Sequence, residues 1–576
     1  MNPLKYPIQV RRGLASKLAT ITPPQGEPCW TTDTKQLFVG DGATLGAIPV
    51  NPMVNVRQFG AKGDGITDDT AAIQAAAIAG AGGEVLFSLP GTYLVNGPVL
   101  LDSHTTVRMA PGVVIRLGDV INTPIFRNRH WTTAMDTDIA IIGGKLDGNH
   151  ANNTIASAGG TYGLIGAYGL ICFINVTRPK VSGVTIYNGT PFGIQLAACL
   201  DIVVEDIHFD TQFRDGVHLN GPITGGIIRR ITGDTADDFI ALNAWDWTNY
   251  SPELGGVPTS GSITGLHLSD INGVSPGLLI RMMSGTSAQV TDIVVDGLHG
   301  TGGNGVINSS LAADADIPAH TTTATKIDRI VLRDVDAIAT SNTSGLGQQL
   351  YFGLAGTIRI ENFTARANPN GRSNIRLGGG AVDALIFNGV TNKEDMLADF
   401  LEVVNGASVA HVQMNNVRIV NAAAKDFGRH LINSLGTLAL IDLCNLYLKN
   451  ITDILNLGQA SNAVTLNLAN YTITGCYYGA SLSAASDTLA WRATNGTLDV
   501  YALVHVISTA SVYLTSTGQY FSFATVSDSS GAVRINAPEL HVDSSVLTPT
   551  AGDQVYQTNG TPGNVIYNGS NWISLW

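Results

Sequence analysis

From about residue 180 onward one short β-rich phrase keeps returning, and this repetition restricts the possible folds more than any other feature of the chain. Its early copies are Val181-Ser-Gly-Val-Thr-Ile186, Asp201-Ile-Val-Val-Glu-Asp-Ile207 and Gly226-Ile-Ile-Arg-Arg-Ile231. Ile263-Thr-Gly-Leu-His-Leu-Ser-Asp-Ile271 and Thr291-Asp-Ile-Val-Val-Asp-Gly-Leu298 follow, and further copies begin near Ile327, Ile358, Ala384, Ala410, Leu438 and Val464. A unit recurring every ~20–30 residues cannot bury its own apolar face, so neighbouring copies must stack. No helical pattern separates the strands, which points to a parallel β-helix rather than a βαβ fold. Several copies close with asparagine (Asn272, Asn362, Asn388, Asn416, Asn445). Asparagine tolerates left-handed backbone geometry, so these positions predict a ladder of turns along the stack.

Length alone, 576 residues, suggests about four domains, but a stacked solenoid merges most of them. Only 13% of residues are charged, against 44% apolar, a balance that excludes a disordered polymer and a long coiled coil. The 65 glycines follow no three-residue period, which excludes collagen. A net charge of −13 argues against nucleic acid as a partner. Mean hydropathy is positive, yet the longest weakly polar run, Gly163 to Val176, is too short and glycine-rich for a membrane span. The N-terminal Met1 to Tyr6 lacks the apolar core of a secretion signal. Five widely spaced cysteines, Cys29, Cys172, Cys199, Cys444 and Cys476, show no metal-ligand spacing and read as buried free thiols. The sequence implies no cofactor and no metal. Gly300-Thr-Gly302-Gly-Asn-Gly305 has dinucleotide-binding spacing but precedes a repeat strand instead of a helix, so it reads as a turn.

The expected organisation has four parts: a small β domain at 1–50, an opening segment at 51–125, the β-helix at 126–485 and a β-rich C-terminal domain at 486–576. Within the opening segment, Ala71 to Ala79 predicts a helix that covers the open end of the stack, with Thr67 or Asp68 capping its first amides. After about residue 485 the period fades, and the last piece, from Gly552, resembles the hairpin phrase near Trp30.

Val56-Arg-Gln-Phe-Gly-Ala-Lys-Gly-Asp-Gly-Ile-Thr-Asp-Asp-Thr70, followed by that helix, resembles the opening of the pectate-lyase-like superfamily of right-handed β-helices. Ile142-Gly-Gly-Lys-Leu-Asp-Gly-Asn149 resembles a phrase from an early coil of the same superfamily. Ile8-Gln-Val-Arg-Arg-Gly13 and Phe38-Val-Gly-Asp-Gly42 resemble the leading domain of bacteriophage tail fibres and tailspikes. Together these resemblances imply a tailspike on the virion that degrades bacterial surface polysaccharide at the host surface. They also imply a homotrimer attached to the phage tail, or to another tailspike, through residues 1–50.

Arg214-Asp215-Gly216-Val217-His218-Leu219-Asn220 is followed one coil later by Asp237-Asp238-Phe239-Ile240-Ala241-Leu242-Asn243. Strands at matching places on successive coils lie about 4.8 Å apart, so the carboxylates of Asp215, Asp237 and Asp238 should form one patch. Glycoside cleavage needs a protonated carboxyl and an ionised one flanking the bond, and crowding like charges keeps one of them protonated. If Val217 and Leu219 point inward, His218 and Asn220 face outward beside the carboxylates. Arg281, on the following strand, could hold an acidic sugar or orient a carboxylate. Trp245, Asp246 and Trp247 in the inserted loop offer aromatic faces for sugar stacking and a further acid.

The carboxylate pattern resembles the polygalacturonase-like glycoside hydrolases, in which an Asn-Thr-Asp and an Asp-Asp on successive coils supply the acids. The match implies that Asp215, Asp237 and Asp238 are catalytic. Where that family carries Gly-His-Gly this chain reads Ser275-Pro276-Gly277, and its Arg-Ile-Lys reads Val306-Ile307-Asn308, departures that argue against galacturonate as substrate. Two alternatives stand beside the hydrolase: a lyase eliminating next to a uronate, leaning on Arg281 and His218, and a non-enzymatic receptor-binding fibre.

Overall fold

The computed structural model describes residues 10–50, 53–121, 123–153, 169–244, 261–285, 288–309, 327–340, 347–368, 371–423, 429–458, 463–483 and 488–506. Beyond these it describes the strands at 511–517, 520–527, 532–542, 554–557, 563–567 and 572–574, and from residue 501 on it gives backbone only. The fold is an all-β parallel solenoid of about 14 turns with a small N-terminal sheet. Among the described residues no helix is long and apolar enough to cross a membrane. The chain divides into two compact units, Met1–Asp237 with Asp246–Thr259, and Asp238–Trp245 with Ser260–Trp576.

The first unit opens with strands Arg11–Gly13, Pro28–Thr31, Leu37–Val39 and Ile48–Pro49; the first two pair in parallel and the others antiparallel. Leu18, Cys29 and Ala47 form its small core. Next, Asn55 caps a short 3-10 turn, Val56–Phe59, which ends on Gly60 at φ 98°, a left-handed conformation that glycine adopts without a side-chain clash. The predicted helix spans Thr70–Ala79 and buries Ile73, Ala76 and Ala77. Its first amide is capped by Asp68, whose carboxylate accepts the Thr70 N–H at 2.9 Å. Thr67 does not cap it; its hydroxyl donates to Asp64 instead. Asp69 turns back to accept the N–H groups of Lys62 and Gly63 at 2.6 and 2.9 Å, which ties the opening loop to the helix.

Interior columns explain how short strands build a stable body. In the first unit Ile115, Leu146, Ile186 and Phe209 lie in register on successive coils, all fully buried. In the second unit the column runs Leu266, Ile293, Ile330, Ile358, Leu385, Val412, Ile441, Leu466 and Trp491. Each such side chain contributes about 1.5–3 kcal/mol by leaving water, so the many apolar residues stabilise a long interior instead of one globular core.

The left-handed ladder exists, but one part of its predicted membership changes. Asn362, Asn416 and Asn445 have φ near +55°. Asn272 instead lies within a strand opposite His299, and the left-handed position of its coil is Asp270. Likewise Asn388 pairs in a strand, and Gly389 takes the positive φ. Side-chain amides reinforce the column, with Asn416 donating to Asn388 at 2.9 Å and Asn445 to Asn415 at 2.8 Å.

Parallel pairing continues past residue 485, where the sequence period fades: strand Thr488–Val506 pairs with Ala463–Leu482, then with Ser511–Thr517 and Tyr520–Ser527. The final strands, Gln554–Gln557, Gly563–Tyr567 and Trp572–Ser574, are antiparallel. All five cysteines are free, and burial pushes the Cys172, Cys199 and Cys476 thiols up to about 12. Residues 300–305 span the end of one strand and the start of the next, with no helix behind them.

Candidate active site

Asp215, His218, Asn220 and Asp237 belong to the first unit, and Asp238 and Arg281 to the second. In the first unit, strand Phe192–Gln212 carries one coil and strand Val217–Thr235 the next, joined by a turn at Phe213–Gly216. Gly193 N–H donates to the Asp215 carbonyl at 3.0 Å and Ile194 N–H to that of Gly216 at 2.9 Å. Those two bonds pin the turn to the coil before it and fix where Asp215 starts.

Asp215 Oδ2 lies 2.6 Å from His218 Nδ1. The imidazole stacks on the Phe192 ring, with centroids 3.9 Å apart and planes 12° from parallel. His218 and Asn220 do alternate with the interior Val217 and Leu219, as expected. They are nevertheless buried, 3% and 1% exposed, as is Asp215 at 4%, so they are not the open sugar-facing surface that alternation suggested. Alternation assigns a side of the sheet; it does not say what covers that side.

Asp237 is more accessible, its side chain 33% exposed, with Arg214 Nε 3.6 Å from its carboxylate. The Arg214 guanidinium carbon also sits 5.1 Å from the Phe192 ring centroid, a cation–π distance. Asp215 and Asp237 each offer a carboxylate oxygen within 4.8 Å of the other. The 22-residue offset between the Asp-led segments therefore brings these two acids together.

In the second unit Asp238 begins the coil of strand Ile240–Asn243 and is 3% exposed. Its Oδ1 accepts the Leu278 N–H at 3.1 Å and its Oδ2 accepts from Arg281 Nε. Arg281 stands in register between Ala241 and Asn308 on the neighbouring coils. It thus orients a carboxylate, one of the two roles its position suggested. Ser275 accepts the Gly277 N–H at 2.9 Å and stabilises the turn between strands Ile263–Ser275 and Leu278–Met283. Trp245, Asp246 and Trp247 lie outside the described residues.

Three residues near the acids carried no signal in the sequence: Phe192, which supports the imidazole, Arg214, which faces Asp237, and Gln195. Gln195 is the register partner of His218 one coil earlier. Aligning the coils by their interior aliphatic residues, not by their charged ones, would have found it. Among the described residues of the first unit Asp215 and Asp237 offer carboxylate oxygens as metal donors, a type that suits Ca²⁺ or Mg²⁺.

Residues 8–44 match the family model of the major tropism determinant N-terminal domain. Residues 53–156 match the model described as rhamnogalacturonase A/epimerase, pectate lyase-like. The chain is 31% identical over 172 residues to plasmin and fibronectin-binding protein A of Streptococcus pneumoniae, covering 27% of this chain and 24% of that protein. It is 26% identical over 259 residues to an exopolygalacturonase of Zea mays, covering 42% of this chain and 58% of that one. The chain thus spans less than two thirds of the length of both relatives. Among solved structures, the N-terminal fragment of bacteriophage Phi29 gene product 12 aligns with a TM-score of 0.41 at 14% identity, over 90% of this chain and 97% of that one. The chain thus carries a segment similar to the major tropism determinant N-terminal domain at residues 8–44 and a pectate-lyase-like segment at residues 53–156, within an all-β parallel solenoid.

Proposed function

We propose that this chain is a phage tailspike that binds and hydrolyses a bacterial surface polysaccharide, capsular or lipopolysaccharide. The observation that carries the reading is the approach of Asp215 and Asp237 to within 4.8 Å on a pectate-lyase-like solenoid. Two carboxyls this close do not both ionise freely, and a glycosidase needs one protonated and one ionised. Asp215, which accepts the bond from His218, is the ionised partner. Asp237, the more exposed of the two, delivers the proton to the leaving oxygen. Asp238, with both oxygens engaged by Arg281 and the Leu278 amide, holds the guanidinium in place instead of transferring protons. Trp245, Asp246 and Trp247 remain assigned to sugar contact.

Residues 1–50 are assigned to attachment to the phage tail, which the match at residues 8–44 supports. The remaining assignments are the β-helix at 126–485 as the catalytic part, 486–576 as a closing or sugar-binding domain, and a homotrimer as the working form. The test is incubation of the protein with a panel of host polysaccharides, followed by chain length and new reducing ends. A product with the ultraviolet absorbance of an unsaturated uronate would move the assignment to a lyase. The burial of Asp215 and His218 favours the third reading, a fibre that binds without cutting, and binding with no shortening by the wild-type protein would establish it.

A further inference from the structure

The sheet face that carries His218 continues three strands back along the first unit and ends at a cation without a counter-ion. Phe126, Ile171, Ile194 and Val217 are register partners on successive strands and are all fully buried in the interior. Arg127, Cys172, Gln195 and His218, each one residue further on, form the matching column on the other side of the sheet. Three steps of about 4.8 Å place Arg127 about 14 Å from His218 along the stack, a span that suits a stretch of polymer and not a single sugar.

Arg127 is half-buried, and its guanidinium carbon lies 4.1 Å from the Trp131 ring centroid, well within cation–π reach. Trp131 packs in turn on the cluster of Cys172, Ile174, Ala197 and Ala198, so the indole is a fixed wall of this face. Its turn is held as well. Asn175 Nδ2 donates to the Trp131 carbonyl at 2.8 Å, and Asp136 accepts from the Ser103 hydroxyl at 2.7 Å and from Asn128 Nδ2 and the His130 N–H at 3.0 Å.

Among the described residues no carboxylate pairs with Arg127, and its buried Nε has no hydrogen-bond acceptor. The acids of the same region are engaged elsewhere, Asp102 with Arg129 at 2.7 Å and Asp136 with His130 at 3.0 Å. The Cys172 thiol, pushed by burial up to about 12, stays protonated and supplies no negative charge at neutral pH. Burial opposes the Arg127 cation and lowers its pKa. A cation drawn partly out of water with no anion beside it is a poor structural device. Arg178, Arg230 and Arg329, by contrast, each grip an aspartate, at 2.6, 2.5 and 2.6 Å.

We propose that Arg127, presented by Trp131, is a specificity-determining residue whose guanidinium binds an anionic substituent of the polysaccharide, a carboxylate or a phosphate. The inference rests on the tailspike reading for the polymer itself and adds its class: an acidic chain lying along the coils between Arg127 and the Asp215–Asp237 pair. A planar guanidinium matches either anion with parallel N–H bonds, and the missing counter-ion is then the substrate's own.

The test is equilibrium binding of the full-length protein, in the Asp237→Asn form so that nothing is cut, to immobilised polysaccharides of host strains. Each polymer is presented native, with its carboxylates reduced to alcohols, and with its phosphates removed. Arg127→Gln should weaken binding to a native acidic polymer about tenfold, the size of one charge-assisted contact. It should make no difference on the treated polymer that has lost the anion, which tells carboxylate from phosphate. Arg127→Lys keeps the charge without the flat fork and should weaken binding about threefold. Circular dichroism checks that each variant is folded, and the lysine form carries the test if the glutamine form is not. The inference is overturned by unchanged binding of the native polymer in either folded variant, or by an equal loss on native and both treated polymers. Capture of neutral polymers only, or of no polymer, by the protein with Arg127 intact overturns it too. Because binding is read without cleavage, an uncut panel leaves the Arg127 contact standing, and unchanged binding leaves the Asp215–Asp237 assignment standing.

Discussion

His218 Nδ1 lies 2.6 Å from Asp215 Oδ2 while the same ring lies face to face with Phe192. The imidazole is thus held on its flat side by packing and on its edge by a carboxylate, two constraints that fix both its plane and its rotation.

Replacing Asp215 or Asp237 by asparagine keeps the size of each side chain and removes its proton chemistry. Either variant should lose about 10²- to 10⁴-fold in kcat, with binding of the polysaccharide retained. Reducing-end release measured alongside a pull-down on immobilised polysaccharide separates the two effects.

Phe192 is fully buried beneath the imidazole. Phe192→Ala should destabilise the first unit by about 3–5 kcal/mol, because it removes the ring and leaves a cavity. Denaturant melting followed by circular dichroism reads the loss. Phe192→Leu should recover part of it without restoring the stacked contact.

Arg281 neutralises the buried carboxylate of Asp238. Arg281→Met leaves that charge without its guanidinium and should cost about 3 kcal/mol, the lower end of the range for breaking a buried pair, since Arg281 itself is partly exposed. The double change Arg281→Met with Asp238→Asn should be more stable than Arg281→Met alone, as seen in melting temperature.

His430 provides a pH prediction away from the acids. Burial alone would lower its pKa, but the hydrogen bond and charge of Asp453, 3.2 Å away, together with the charge of Asp399, outweigh burial and hold it above the ordinary histidine value. A histidine whose folded pKa is raised contributes stability fully below about 6.5, its unfolded value, and loses it as pH rises through the folded value. Melting temperature should therefore fall between mildly acidic and alkaline pH, and His430→Gln should flatten that part of the curve.

Glu205 sets the opposite limb. Hydrogen bonds from Lys180 and Arg229 hold its carboxyl down at about 2. Its contribution is present above about 4.5 and disappears as pH falls toward 2. Glu205→Gln should lower the melting temperature at neutral pH and reduce its further fall on acidification.

The solenoid was legible because its inward residues are large and apolar at every coil, and a period of ~20–30 residues has few physical alternatives. The pairing of Asp215 with Asp237 was legible for the same reason, since equal positions on successive coils are neighbours in space. The left-handed residue in each turn was read one or two places away at Asn272 and Asn388, because Asp270 and Gly389 satisfy the same backbone conformation as asparagine does elsewhere. The burial of His218 and Asn220 was not legible, since strand alternation carries no information about what lies over the outer face. Gln195 escaped notice because an isolated glutamine on a repeat strand has the same local pattern whether it faces water or a neighbouring coil.

The most direct measurement is the chain length of a panel of bacterial surface polysaccharides before and after incubation with the wild-type protein and with Asp237→Asn. The expected result is that one polysaccharide is shortened by the wild type, with new reducing ends and no unsaturated product, while Asp237→Asn binds it and leaves it intact. Shortening by both proteins alike would contradict the assignment of catalysis to the Asp215–Asp237 pair.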